Sequence, residues 1–98
     1  MKKSIYILED NASTRNILEM LLTEENYQVQ SYQYAQEFLK MIKVSIPDMV
    51  VLDVQLPDGN GNKIAEQLKG DLKTYHIPIM IMSGSNHLHT IKNKMWAE

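Results

Sequence analysis

Four short β-rich runs, Ser4–Leu8, Val29–Tyr32, Met49–Asp53 and Ile79–Met82, alternate along the chain with segments whose apolar residues return at helical spacing. After the first run, Ile17, Leu18, Leu21 and Leu22 mark one face of a helix, with Arg15, Glu19 and Glu24 turned away from it, and Asn11 or Ser13 stands where a cap is needed. After the second, Ala35, Phe38, Leu39 and Ile42 mark another helix, closed by Ile46-Pro47 because the residue before proline disfavours helical backbone. Ile64, Ala65, Leu68 and Leu72 outline a third, interrupted near its end by Gly70, and Leu88, Ile91 and Met95 a fourth. Strands and helices in alternation predict a parallel sheet with helices on its faces and right-handed crossovers. Such strands are buried on both sides, which suits the unbroken apolar run Met49-Val50-Val51-Leu52.

With 98 residues, the chain reads as one domain over 1–98. A chain of this size buries only about 60 to 65 % of its unfolded surface, so it has little core to spare. The 44 % hydrophobic and 22 % charged content is that of a soluble globular protein. No apolar run approaches the roughly 18 residues of a membrane span, and Met1-Lys2-Lys3 leads straight into a strand-like run rather than a signal peptide. A cytoplasmic location away from membranes is therefore expected. The absence of cysteine removes disulfides, thiolate metal sites and cysteine nucleophiles together. A net charge of −2 argues against a nucleic-acid surface, and Lys92 and Lys94 read as a solvated helix face.

In open parallel sheets the ligand site lies beyond the carboxyl ends of the strands, where the strand order reverses. Glu9 and Asp10 end the first strand, Asp53 the third and Ser83 the fourth. A strand order of 2-1-3-4 would bring all of them to one crevice. Taken singly, each has an ordinary explanation: Asp53 as a turn former, Glu9-Asp10 as an acidic helix start, Ser83-Gly84-Ser85 as a cap. Taken jointly, three converging carboxylates repel one another and call for a cation. An all-oxygen ligand set suits Mg²⁺ or Mn²⁺, which keeps waters that a phosphate can replace. Asp53 would then be placed to attack phosphorus, giving an acyl phosphate, with Ser83 donating to the transferred group. His76, His87 and His89 read as surface or loop residues, and the methionines as core filling.

The chain resembles the receiver domain of two-component response regulators. The resemblance rests on Ile7-Leu8-Glu9-Asp10-Asn11 after the first strand and on Pro47-Asp48 leading to Asp53, with Pro57 and Gly61 following. It rests also on Pro78-Ile79-Met80-Ile81-Met82-Ser83-Gly84, and it runs from Ser4 to about Met95. It implies a flavodoxin-like α/β three-layer sandwich with Asp53 as phosphoacceptor, and Glu9, Asp10 and Asp53 around Mg²⁺ (or Mn²⁺). By the same likeness, Gln55 completes the coordination through its backbone carbonyl and Ser83 is the switch hydroxyl. The implied partner is a sensor histidine kinase or a phosphotransfer protein. The domain would be a signalling acceptor assisting only its own phosphorylation and dephosphorylation, not an enzyme acting on other substrates.

Members of that family continue with a fifth strand, carrying an aromatic switch residue and a phosphoryl-pairing lysine, and a fifth helix. The sequence ends at Glu98, before these elements. The expectation that follows is a C-terminally incomplete receiver whose Ile79–Met82 edge is apolar and unpaired, favouring a homodimer or domain-swapped self-association. A second expectation is a receiver-like interaction module that keeps the fold without the phosphoryl chemistry. An aspartyl-phosphate hydrolase of another α/β family fits less well, because Val54-Gln55 follows Asp53 where a second acid two residues on would be needed.

Overall fold

A computed structural model describes residues 2–82. Four parallel strands form the main sheet: β1 (Ser4–Leu8), β2 (Gln28–Tyr32), β3 (Met49–Asp53) and, after two very short strands, β6 (Ile79–Met82). The short pair, β4 (Gln55–Leu56) and β5 (Gly59–Asn60), makes a separate antiparallel ladder in the loop beyond Asp53. Helices α1 (Ala12–Glu24), α2 (Ala35–Val44) and α3 (Gly61–Lys69) supply the crossovers. The sheet order is β2-β1-β3-β6, which is the expected 2-1-3-4 once the short strands are set aside. Ser83, the fourth helix and the chain end, with the expectations attached to them, lie outside the described residues.

Strand pleating sorts the core into two layers. Ile5 and Ile7 of β1, Val51 of β3 and Met82 of β6 join Leu18 and Leu22 of α1 on one face. Tyr6, Leu8, Val50 and Leu52 join Ala35, Phe38 and Ile42 of α2 and Ile64 and Leu68 of α3 on the other. Alternate side chains of one strand thus feed opposite cores, so Ile5–Leu8 of β1 and Met49–Leu52 of β3 are apolar at consecutive positions rather than every second residue. Tyr6, Tyr32 and Phe38 pack edge-to-face, with centroids 5.4 to 6.3 Å apart, and the Tyr6 hydroxyl leaves that core by donating to the Ser45 carbonyl at 2.9 Å.

Two sequence expectations need correction. Ile17 stands 39 % exposed while Leu18 and Leu22 are buried, so the buried stripe of α1 is narrower than its apolar residues. Leu72 does not extend α3: the helix ends at Lys69, and Leu72 is 90 % exposed. The cause is local competition. Asp71 starts a new turn, its carboxylate accepting from the Lys73 amide at 2.8 Å, and the Thr74 hydroxyl donates to the Leu68 carbonyl at 2.6 Å, satisfying a helix-end acceptor. Lys69 then donates its ammonium to the carbonyls of Tyr75 (3.1 Å) and Ile77 (2.8 Å). Ile77, buried against the same core as Leu68, fills the place the pattern assigned to Leu72.

The helix starts are capped in different ways. Asn11, not Ser13, caps α1, its side-chain oxygen accepting from the Thr14 amide at 2.9 Å. Asn60 caps α3 through the amides of Asn62 and Lys63. Tyr34 precedes α2 and offers no side-chain cap. Asp58 takes that role from 23 residues away, accepting from the Ala35 amide at 2.8 Å and the Gln36 amide at 3.0 Å. These amides hold the Asp58 carboxyl below its ordinary value.

Candidate functional site

The site grows from the carboxyl ends of β1 and β3, which are hydrogen-bonded neighbours. Glu9 follows β1 and continues its ladder, its amide donating to the Tyr32 carbonyl at 3.0 Å. That bond fixes the backbone from which the Glu9 side chain turns inward, and the residue is only 2 % exposed. Asp10 comes next and is exposed; Asp53, the last residue of β3, is half-buried. One carboxylate oxygen from each of Glu9, Asp10 and Asp53 can be chosen so that all three lie within 4.8 Å of one another. The sheet order therefore assembles the acidic cluster that strand-end positions in the sequence implied.

Glu9 is the most deeply buried of the three. One carboxylate oxygen, Oε2, accepts from the Asn11 amide at 3.0 Å, while Oε1 is buried without a hydrogen-bond partner among the described residues. Burial chiefly, with repulsion from Asp53 and proximity to Asp10, pushes the Glu9 carboxyl up to about 7 from 4.5, against the lowering effect of the Asn11 amide. A buried oxygen with no donor, on a side chain gathered with two further carboxylates, is a half-made site. A hard divalent cation is what would satisfy it.

Asp53 is held by its backbone. The Val54 amide donates to the Met82 carbonyl at 3.1 Å, tying the end of β3 to β6, and the Gly61 amide donates to the Val54 carbonyl at 2.8 Å. Gly61 opens α3 so close to the end of β3 that a Cβ there would lie 2.1 Å from the Asp53 carbonyl oxygen. Only glycine permits this approach. Gln55, the expected carbonyl ligand, is exposed in β4, and its amide lies 3.4 Å from Asp53 Oδ1. Ser83 directly follows Met82, the register partner of Asp53, but is itself outside the described residues.

Three contributors were not foreseen from the sequence. Arg15, expected to point away from the core, reaches back across the first turn of α1 to the carbonyls of Glu9 (3.0 Å) and Asp10 (3.4 Å). Glu19, expected to be solvent-facing, accepts from the Ser31 hydroxyl and links α1 to β2. Asp58 joins the loop beyond Asp53 to the start of α2. Arg15 lies five residues beyond Asp10 and so one turn into the helix, the one local signal for its reach; the other two contacts span strand crossovers and have none.

A parallel sheet with helices on both faces, reversing its strand order beside a cluster of three acids, defines a flavodoxin-like fold with its site at the switch point. The response regulator receiver domain model matches residues 5–98, and the chain belongs to that family. It is 26% identical over 92 residues to the DNA-binding transcriptional regulator NtrC of Proteus hauseri, covering 94% of this chain and 19% of that protein. The chain thus spans about a fifth of that relative's length. Among solved structures, it superposes with a TM-score of 0.80 on the receiver domain of sensor histidine kinase PA1611 from Pseudomonas aeruginosa, crystallised with a magnesium ion coordinated in the active site cleft. That match has 17% identity and covers 100% of this chain and 80% of the other. The phosphorylated cyanobacterial phytochrome response regulator RcpA superposes with a TM-score of 0.79 at 21% identity, covering 97% of this chain and 74% of its own.

Proposed function

We propose that this receiver accepts a phosphoryl group on Asp53 from the phosphohistidine of a sensor histidine kinase or phosphotransfer protein, as part of a two-component system in the cytoplasm. The observation that carries the reading is the juxtaposition of Glu9, Asp10 and Asp53, with a Glu9 oxygen buried and unpartnered. Those three carboxylates, with the Gln55 carbonyl, would hold Mg²⁺ or Mn²⁺. Bound there, the ion would neutralise the acids and the incoming phosphoryl oxygens.

The rest of the chemistry belongs to the chain. Asp53 offers a carboxylate oxygen at the open end of β3, on a backbone tied to β6 and α3. Its attack on phosphorus forms an acyl-phosphate O–P bond as the donor's N–P bond breaks, and the electron pair returns to the imidazole nitrogen. Ser83 would donate its hydroxyl to the phosphoryl group. The added charge would then bias a two-state surface, the general behaviour of phosphoryl switches. The protein acts in this reading as an acceptor that assists only its own phosphorylation and dephosphorylation.

The test is incubation with a small phosphodonor and Mg²⁺, read by intact mass. One added phosphate that does not form when Mg²⁺ is chelated beforehand is the expected result. No adduct would defeat the proposal in favour of a phosphorylation-independent interaction module, and an adduct unaffected by Asp53→Asn would defeat Asp53 as the acceptor.

A further inference from the structure

The turn between β1 and α1 carries two of the three acids, and its backbone is fixed at nearly every polar atom. The Glu9 amide donates to Tyr32, the Asn11 amide to Glu9 Oε2, and the Arg15 amide to the Asn11 carbonyl at 2.9 Å. Asn11 Oδ1 accepts from Thr14. Two acceptors then remain, the carbonyls of Glu9 and Asp10, and both are reached by one guanidinium nitrogen, Nη1 of Arg15. Arg15 is the sole arginine of the chain.

We propose that Arg15 is a positioning residue for the acidic site: by holding the Glu9 and Asp10 carbonyls, it fixes the turn from which both carboxylates project toward Asp53. The inference rests on the reading of that cluster as a divalent-cation site, and it adds a residue that touches neither cation nor phosphoryl group. Three features make arginine suitable. Its charge persists at every working pH. Its planar fork is pre-organised, so little freedom is lost per bond formed. Its cation also lies beside a turn whose side chains are acidic, where the same bonds from a neutral donor would be weaker. A lysine keeps the charge but carries it on a flexible stem without the rigid planar group that aims Nη1 at both carbonyls, and an alanine leaves both carbonyls without that donor.

Outer partners that orient metal ligands typically alter metal affinity about 10- to 100-fold when removed. The experiment is calorimetric titration of the full chain with Mn²⁺ and with Mg²⁺, for wild type, Arg15→Ala and Arg15→Lys, alongside metal-free melting curves. The expected result is affinity lowered at least about tenfold in Arg15→Ala, with partial recovery in Arg15→Lys, and a loss that exceeds what any change in metal-free melting explains. If Arg15→Ala does not fold, Arg15→Lys alone decides, and it must bind metal more weakly than wild type at matched foldedness. Wild-type affinity in the folded variants overturns the positioning role while leaving the metal site standing. A wild type that binds neither ion overturns the underlying reading and the role of Arg15 together.

Discussion

Replacing Glu9 with glutamine keeps the side chain's size and removes one charge from the acidic cleft. Because the folded protein holds the Glu9 carboxyl at about 7 against 4.5 ordinarily, the fold favours the proton-bound form. Below about 4.5 both folded and unfolded chains carry the proton, and the residue exacts no penalty. As pH rises toward 7, the unfolded chain has already lost its proton while the folded chain must still give one up, so stability falls through this window. Above 7 the loss is complete. The displacement corresponds to roughly 3 kcal/mol, and the effective dielectric of real buried sites brings the expected difference to about 1–2 kcal/mol. For a domain of this size that is about 5 to 10 °C in melting temperature. Melting curves recorded in chelator at pH 5, 6, 7 and 8 test it. Glu9→Gln should melt higher than wild type at pH 8 and converge with it at pH 5. Saturating Mg²⁺ should raise the wild type more than the variant, since the ion stabilises the ionised carboxylate. A wild type–variant difference that stays constant from pH 5 to pH 8 in chelator would refute the account of Glu9.

Further consequences concern the scaffold of the site. Gly61→Ala, which places a Cβ 2.1 Å from the Asp53 carbonyl oxygen, should destabilise by about 2–4 kcal/mol and reduce phosphoryl uptake in whatever fraction folds, measured by chemical denaturation and intact mass. Asp58→Ala should leave the Ala35 and Gln36 amides without their acceptor, so their hydrogen exchange should accelerate relative to that of the β1 amides. Asp58 titrates below its ordinary value, so its contribution is present above that value and lost as pH falls through the lowered one. Thr74→Val removes the buried hydroxyl that satisfies the Leu68 carbonyl and should cost about 1–2 kcal/mol in denaturant melts, without changing metal binding.

Much of the fold was legible because burial and secondary structure coincide in its strands. Met49–Leu52 could be apolar at every position only if covered on both faces, and the structure splits those residues between two cores. The acids were legible because Glu9, Asp10 and Asp53 fall where strands end, and strand order then brings them together. What escaped was set by side-chain hydrogen bonds and packing that no helical or strand period registers, some between near neighbours and some across the fold. Leu72 fitted the stripe of α3, but Asp71 and Thr74 drew the chain into a turn and Ile77 took its place in the core. Ile17 likewise fitted the stripe of α1, yet it stands exposed while Leu18 and Leu22 are buried. No periodicity reveals that Asp58 caps a helix 23 residues earlier or that the guanidinium of Arg15 turns back to the acidic turn.

Borohydride trapping reads the proposed covalent bond to the Asp53 carboxylate itself. An acyl phosphate on aspartate is reduced to homoserine, whereas a free carboxylate, a phosphoserine and a phosphothreonine are not. After incubation with a phosphodonor and Mg²⁺, reduction and digestion, the peptide spanning Met49–Leu56 should carry homoserine at position 53, and chelation beforehand should abolish it. Homoserine at Asp10, Asp48 or Asp58 instead, or none anywhere, would contradict the assignment of Asp53 as the phosphoacceptor.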